Sequence, residues 1–153
     1  MTQRAKKRPR PKAKAKRAKA AVRTQRIPAL RGLKAGQLRR KKFKAGVVLF
    51  HEEDAADCTY VVVSGAVSLS RLSRGGEDRP FLTLRANEIV GEMALIADGK
   101  RSATATARED TETVVIDRAE FLSHLSRLNP FVHRVLTALV TRLKTTTDAY
   151  MEF

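Results

Sequence analysis

The positive charge of this chain is packed into one end. Residues 1–44 hold 19 of the 31 Lys and Arg and none of the 16 Asp and Glu. Residues 45–153 therefore carry 12 basic and 16 acidic groups, a net of −4 against +15 for the whole chain. Up to residue 26 the composition is Lys, Arg, Ala and Pro with almost nothing apolar to bury. Such a segment cannot offset its own conformational entropy, so residues 1–26 are expected to form a disordered basic arm. A packed body is confined to residues 27–153, enough for one domain with a real core.

Within that body, short apolar runs are separated by turn signals at roughly ten-residue spacing. Val47–Phe50, Thr59–Val63, Ala66–Leu72, Phe81–Leu84, Ile89–Val90, Ser102–Ala107 and Thr113–Ile116 all read as strands. In Ala66–Leu72, Val67, Leu69 and Leu72 approximate one face, with Ser68, Ser70 and Arg71 outside. Arg74-Gly75-Gly76-Glu77-Asp78 reads as a hairpin turn. Ile27, Leu30, Leu33 and Leu38 would line one face of a broken helix before the strands. Two helices should close the body. Asp117 with Glu120 resembles a capping box, and Phe121, Leu122, Leu125 and Leu128 form an apolar stripe. Asn129-Pro130 separates it from a second helix whose stripe is Val132, Val135, Leu136, Leu139, Val140 and Leu143, expected to lie against the strands. Thr145, Thr146 and Thr147 are poor helix formers and are expected to fray its end.

The chemistry concentrates in Val90–Thr106, VGEMALIADGKRSATAT. Gly91 lets a ligand approach the backbone, and Met93, Ala94, Leu95 and Ile96 read as one helical turn with unpartnered N–H groups at its start. An ionised Glu92 accepts hydrogen bonds and repels phosphate, so it suits a sugar hydroxyl. Arg101 presents a planar fork that can hold a phosphate by two parallel bonds. A nucleotide needs both ends. A structural Glu92–Arg101 ion pair would use the same two residues.

This stretch resembles the phosphate-binding cassette of the cyclic nucleotide-binding domain family. Gly91, Glu92, Met93, Ala94, Leu95 and Ile96 match the first part of its pattern, and Arg101, Ser102, Ala103 and Thr104 the second. The likeness extends over about Phe43–Thr147 and includes Phe43-Lys44-Ala45-Gly46, Tyr60–Val63, Ser64-Gly65 and Asn129-Pro130. It implies a mainly β fold, an eight-stranded antiparallel β-roll of jelly-roll type closed by two C-terminal helices. It implies that Glu92 binds the ribose 2′-hydroxyl, that Arg101 clamps the cyclic phosphate, and that Ser102 and Ala103 add contacts to it. Gly91, Met93 and Ala94 complete the cassette, and Thr146 and Thr147 reach the base edge. The implied ligand is a 3′,5′-cyclic nucleotide, cyclic AMP rather than cyclic GMP, and the last helix is a lid and a possible homodimer seam. The chain departs from the family pattern at Val90, where Phe is frequent, and at Glu53 and Asn87, which occupy usual turn glycines.

No residue set suggests a reaction, so no catalytic residue, cofactor or enzyme activity is expected. His51, His124 and His133 lack metal-ligand spacing, and no metal is expected. Cys58 stands alone and reads as a small packed hydrophobe. No apolar run reaches the roughly 18 residues of a membrane span, and a cytoplasmic location is expected. The basic arm lacks aromatics for base stacking and suits sequence-blind neutralisation of nucleic acid or another polyanion. Six residues follow Thr147 in this sequence, so no helix-turn-helix is expected after the last helix. The competing reading is a nucleotide-independent adaptor that keeps the roll as a dimer or partner scaffold.

Overall fold

In the computed structural model, the described residues are 27–33, 38–97 and 99–151. The basic arm over residues 1–26 lies outside them. Eight strands occur among these residues: β1 (Arg39–Phe43), β2 (Val48–Phe50), β3 (Cys58–Ser64), β4 (Ala66–Leu72), β5 (Asp78–Arg85), β6 (Ile89–Val90), β7 (Thr104–Ala107) and β8 (Thr111–Asp117). They form two four-stranded antiparallel sheets, ordered β1-β8-β3-β6 and β2-β7-β4-β5. A short helix α1 (Glu92–Ile96) interrupts the strands, and α2 (Arg118–Leu125) and α3 (Pro130–Met151) follow them. The expected mainly β roll with two C-terminal helices is the observed architecture.

The two sheets face each other across Phe43, Phe50, Tyr60, Val62, Val67, Leu84, Val90, Ala105, Ala107 and Val115. Strict alternation along β7 explains the small residues. Ala105 and Ala107 are fully buried where the sheets approach, while Thr104 and Thr106 point the other way. On the outer face of the β1-β8-β3-β6 sheet, Leu30 packs on Val61, Val114 and Ile116, joined by Ile27, Leu33 and Leu38. The four predicted apolar positions do act together, but not on a helix. Among the described residues before β1, the helical element is a 3-10 turn at Pro28–Leu30.

β1 has no strand pattern in its sequence, Arg-Arg-Lys-Lys-Phe. Its pairing is electrostatic as well as backbone-driven. It runs against β8, where Arg39 meets Asp117 at 3.0 Å and Arg40 meets Glu112 at 2.6 Å. Lys44, just beyond, meets Asp110 at 2.8 Å. Charged residues on an edge strand also oppose pairing with other chains.

The helices depart from expectation in three ways. The Asp117 side chain does not cap α2; its carboxylate is spent on Arg39. The α3 end does not fray at Thr145–Thr147, because α3 runs through to Met151 and the threonine hydroxyls bond back into it, Thr145 to the Thr141 carbonyl at 3.0 Å and Thr147 to that of Leu143 at 2.8 Å. Third, the α3 stripe is buried only in part: Leu136 and Val140 are half-buried. Val132, Val135, Leu139 and Leu143 are 40–54% exposed.

Among the described residues, Glu53 and Asn87 are the non-glycine residues with positive φ, 68° and 72°. Both are the positions where turn glycines were anticipated. Asn87 holds its shape through a side-chain acceptor for the Ala29 N–H at 2.9 Å. Glu53 has an exposed ion pair with Lys100 at 3.2 Å, which contributes little. Glu53→Gly is therefore expected to raise stability by about 1 kcal/mol, because the left-handed penalty of an L-residue exceeds glycine's entropic cost. Urea unfolding of the two proteins measures it, and an equal or lower midpoint would contradict it.

Candidate functional site

The site is built where β6 runs into α1. Gly91 takes φ 86°, which turns the chain sharply from β6 so that Glu92 opens α1. Ala94 and Leu95 bury against Ala56 and anchor the short helix. The neighbouring wall comes from Ser102 and Ala103, immediately before β7.

These elements border a cavity of about 330 Å³, within the range of small-ligand pockets. Leu69, Leu82 and Leu84 of β4 and β5 form its apolar side, with Phe50 and Ile89. Leu143, Lys144, Thr147 and Asp148 of α3 close over it.

Glu92 faces this cavity, and burial pushes its carboxyl above the usual value of 4.5. Its own backbone N–H and the charge of Arg101 pull the other way. A desolvated acceptor facing a cavity of this size is poised for a donor.

Arg101 is 2% exposed and lies behind Gly91, not among the residues lining the cavity. Nη1 donates to the Gly91 carbonyl at 2.9 Å and Nη2 to the Cys58 carbonyl at 2.7 Å. The guanidinium carbon stacks 4.1 Å over the Phe50 ring. Nε is buried without a partner. The guanidinium thus spends its bonds on two carbonyls and not on Glu92, so a simple Glu92–Arg101 ion pair does not describe the pair. In this arrangement Arg101 holds the Gly91 turn from beneath.

Of the other anticipated residues, Gly91, Met93, Ser102, Ala103 and Thr147 line the cavity. Ala94 is buried on the inner side of α1 and Thr146 is exposed on α3, and neither lines it. Cys58 is buried as expected of a packed hydrophobe, and burial pushes its thiol pKa up.

The residue that sequence reasoning misplaced is Arg71. Val67, Leu69 and Arg71 share the inner face of β4, whereas Leu72 is 64% exposed. Strict alternation from Val67 onward would have shown it. Arg71 Nε donates to Glu52 at 2.8 Å and Nη1 to Asp148 of α3 at 2.6 Å. Both carboxylates were also absent from the anticipated site.

Known proteins bear on this geometry. The family model for the cyclic nucleotide-binding domain matches residues 40–127. The "Cyclic AMP receptor protein" of Thermus thermophilus is 36% identical over 105 residues, 69% of this chain and 49% of that protein. A "CRP-like cAMP-activated global transcriptional regulator" of Mycobacterium tuberculosis is 25% identical, over 73% of this chain and 50% of that one. The chain thus spans about half the length of these two curated relatives. Among solved structures, the cAMP-bound form of an EAL enzyme superposes with a TM-score of 0.69 at 29% identity, over 73% of this chain and 30% of that one. The catabolite activator protein of Thermus thermophilus gives 0.61 at 33% identity, over 82% and 62%. With the family model covering more than half of its residues, and the roll in place, the chain belongs to the cyclic nucleotide-binding domain family.

Proposed function

We propose that the cavity between α1, β4 and α3 binds a 3′,5′-cyclic nucleotide and that the protein is a small regulatory sensor. The observation that carries this reading is the desolvated Glu92 carboxylate opening onto a ligand-sized cavity, beside Ser102 and Ala103 and with Arg101 immediately behind Gly91. Glu92 would accept from the ribose hydroxyl. The phosphate would lie toward Ser102 and Ala103 and draw the Arg101 guanidinium from its two carbonyls. Thr147 of α3 would approach the base. Cyclic AMP is preferred to cyclic GMP in this reading, supported by the relatives named for cyclic AMP. The proposal assigns no reaction, and the protein is read as a cytoplasmic binding module.

Two further parts concern partners. The exposed apolar stripe of α3 supports a homodimer seam. The basic segment 1–26, outside the described residues, supports binding of nucleic acid or another polyanion through its charge. No helix among the described residues is long and apolar enough to cross a membrane.

Calorimetry with cyclic AMP and cyclic GMP tests the central reading. No heat from either at millimolar concentration would reject it. It would favour a nucleotide-independent adaptor, for which the backbone-bonded Arg101 is the supporting observation.

Glu92→Gln sharpens the test because it separates stability from binding. The folded state holds a proton on Glu92 over a range above pH 4.5 where the unfolded chain does not. Wild-type stability therefore falls as pH rises through that range, and the amide escapes this loss. The variant is expected to melt above wild type at neutral pH, with the gap closing below the range. Its affinity for the nucleotide should fall about tenfold or more, the effect of losing a charge-assisted hydrogen bond. Thermal melts across pH together with calorimetry read both changes. Unchanged affinity would remove Glu92 from the site.

A further inference from the structure

Phe81 enters the cavity through a break in the strand pattern. Leu82 of β5 pairs with Leu69 of β4, but Pro80 pairs with Ser70, so one step along β4 meets two along β5. Phe81 is the extra residue of a β-bulge, on the edge strand of its sheet. Pro80 gives the break a local cause. It has no N–H for the ladder, and prolines within sheets are confined to edges and bulges. Strict alternation would send Leu82 and Leu84 to one face and Phe81 to the other. Leu82 and Leu84 do line the cavity, and so does Phe81. The bulge therefore turns two consecutive apolar side chains the same way. Both are half bare, Phe81 at 45% and Leu82 at 47% exposure. A single exposed apolar side chain needs no account. A bulge that re-aims an aromatic ring into a ligand-sized cavity does.

The strand register sets how far this ring stands from the polar end of the cavity, at Glu92, Ser102 and Ala103. Ser70 pairs with Pro80 on one side and with Thr104 on the other, so the bulge is level with the start of β7. β4 lies between β5 and β7. With neighbouring strands about 4.8 Å apart, β5 stands roughly 10 Å from β7. A mononucleotide spans that interval, with its sugar and phosphate at Glu92 and Ser102 and its base toward β5. Phe50, also on the cavity wall, is already engaged, by the Arg101 guanidinium at 4.1 Å and by the Tyr60 ring at 6.2 Å. Phe81 is the ring on the wall with a face to offer.

We propose that the nucleobase stacks on Phe81, and that this ring makes the cavity select cyclic purine nucleotides over cyclic pyrimidine ones. This role rests on the cyclic nucleotide reading of the same cavity. A base laid on the ring buries its exposed face against a second π-system. The double ring of a purine covers more of the phenyl than a single pyrimidine ring does, and gains more from it. Stacking uses the face of the base, so its edge stays open to Thr147 on α3.

Calorimetry on the full-length chain with cyclic AMP, cyclic GMP, cyclic CMP and cyclic UMP, for wild type, Phe81→Ala and Phe81→Trp, tests it. Phe81→Ala is expected to weaken cyclic AMP binding about tenfold and cyclic CMP binding about threefold, which narrows the purine preference. Phe81→Trp is expected to hold cyclic AMP at least as tightly as wild type. The chain has no Trp of its own, so the indole emission of that variant reports this position alone, and saturating cyclic AMP should quench it. Unchanged affinity in Phe81→Ala overturns the proposal. An equal loss for purine and pyrimidine ligands overturns it too, by making the ring an apolar wall only, and so does indole emission indifferent to saturating cyclic AMP. If Phe81→Ala lowers self-association and leaves affinity as it was, the ring belongs to a seam between copies and not to the base. Should Phe81→Ala fail to fold, Phe81→Leu keeps apolar bulk without a π-face and takes its place, with the same narrowing of purine preference expected. Wild type that binds none of the four nucleotides overturns the proposed function and this role with it. Wild type that binds, beside a Phe81→Ala that binds equally well, overturns this role alone.

Discussion

Arg101→Ala is expected to cost about 3 kcal/mol of stability and to abolish measurable cyclic nucleotide binding. Truncation leaves the Gly91 and Cys58 carbonyls without the donors they now have, at roughly 1–3 kcal/mol for each buried group left unsatisfied. It also opens a void against Phe50, whose ring the guanidinium covers at 4.1 Å. Relief of a buried charge offsets part of this, because Nε already lacks a partner. For a body of this size the melting temperature should drop by on the order of 10 °C. Loss of the Gly91 support would let that turn relax, so affinity should fall by about a hundredfold or more even at temperatures where the variant is folded. Arg101→Lys separates the two roles. One ammonium keeps the charge but cannot span both carbonyls and stack, so it should recover part of the binding and little of the stability. Denaturant unfolding and calorimetry on the three proteins give the answer. A wild-type melting point in Arg101→Ala would mean the two carbonyl bonds carry no net energy. Wild-type affinity would remove the guanidinium from the site.

This residue also marks the boundary of what the sequence could disclose. Glycine, carboxylate, guanidinium and hydroxyl were all readable at Gly91, Glu92, Arg101 and Ser102. The direction of a long side chain was not. Spacing places Arg101 beside the cavity, but only packing decides whether its fork faces outward or settles on Gly91, Cys58 and Phe50. The same limit explains β1. Alternation and apolar content identify strands that bury a face, and Arg39–Lys42 bury little. Their partners, Asp117 and Glu112, are more than seventy residues away in sequence, so no local signal joins them. α3 shows the reverse case. Its stripe was legible at Val132, Val135, Leu139 and Leu143, but periodicity says only that a helix face seeks an apolar partner, not that the partner lies in the same chain. Arg71 was open to prediction by strict period-two counting. An Arg on an inner face runs against the apolar composition of a core strand, which points to Leu72 instead. Residues that contradict their local pattern in this way gather at functional sites, and Arg71 lines the cavity.

Gly65→Ala is expected to be as damaging to stability as the loss of Arg101, and by a cause remote from the site. Gly65 is the single residue between β3 and β4, where the chain passes from one sheet to the other. It takes φ 89°, and a Cβ there would lie 2.5 Å from Thr111 Oγ1 and 2.7 Å from both the Asp110 carbonyl oxygen and Thr111 Cα. Two of these three obstacles belong to backbone and cannot swing aside. The third is already committed, since Thr111 Oγ1 accepts from the Ala66 N–H at 3.2 Å and lies 2.8 Å from the Glu109 carbonyl. A left-handed L-residue costs about 1–2 kcal/mol, and forcing the β3–β4 and β7–β8 turns apart adds roughly 1–3 kcal/mol. Asparagine tolerates the left-handed backbone, so Gly65→Asn should keep the steric share of the loss. Gly46 is the internal control: φ is 83° but no atom lies within 4 Å of its would-be Cβ, and Gly46→Asn should be nearly neutral. The turn sits at the opposite end of β4 from Arg71, so Gly65→Ala protein that remains folded should bind ligand as wild type does. Urea midpoints for the three variants, with nucleotide titrations at low temperature, measure this. A Gly65→Asn protein as stable as Gly46→Asn would show that Thr111 and Asp110 yield freely and that backbone conformation alone demands glycine there.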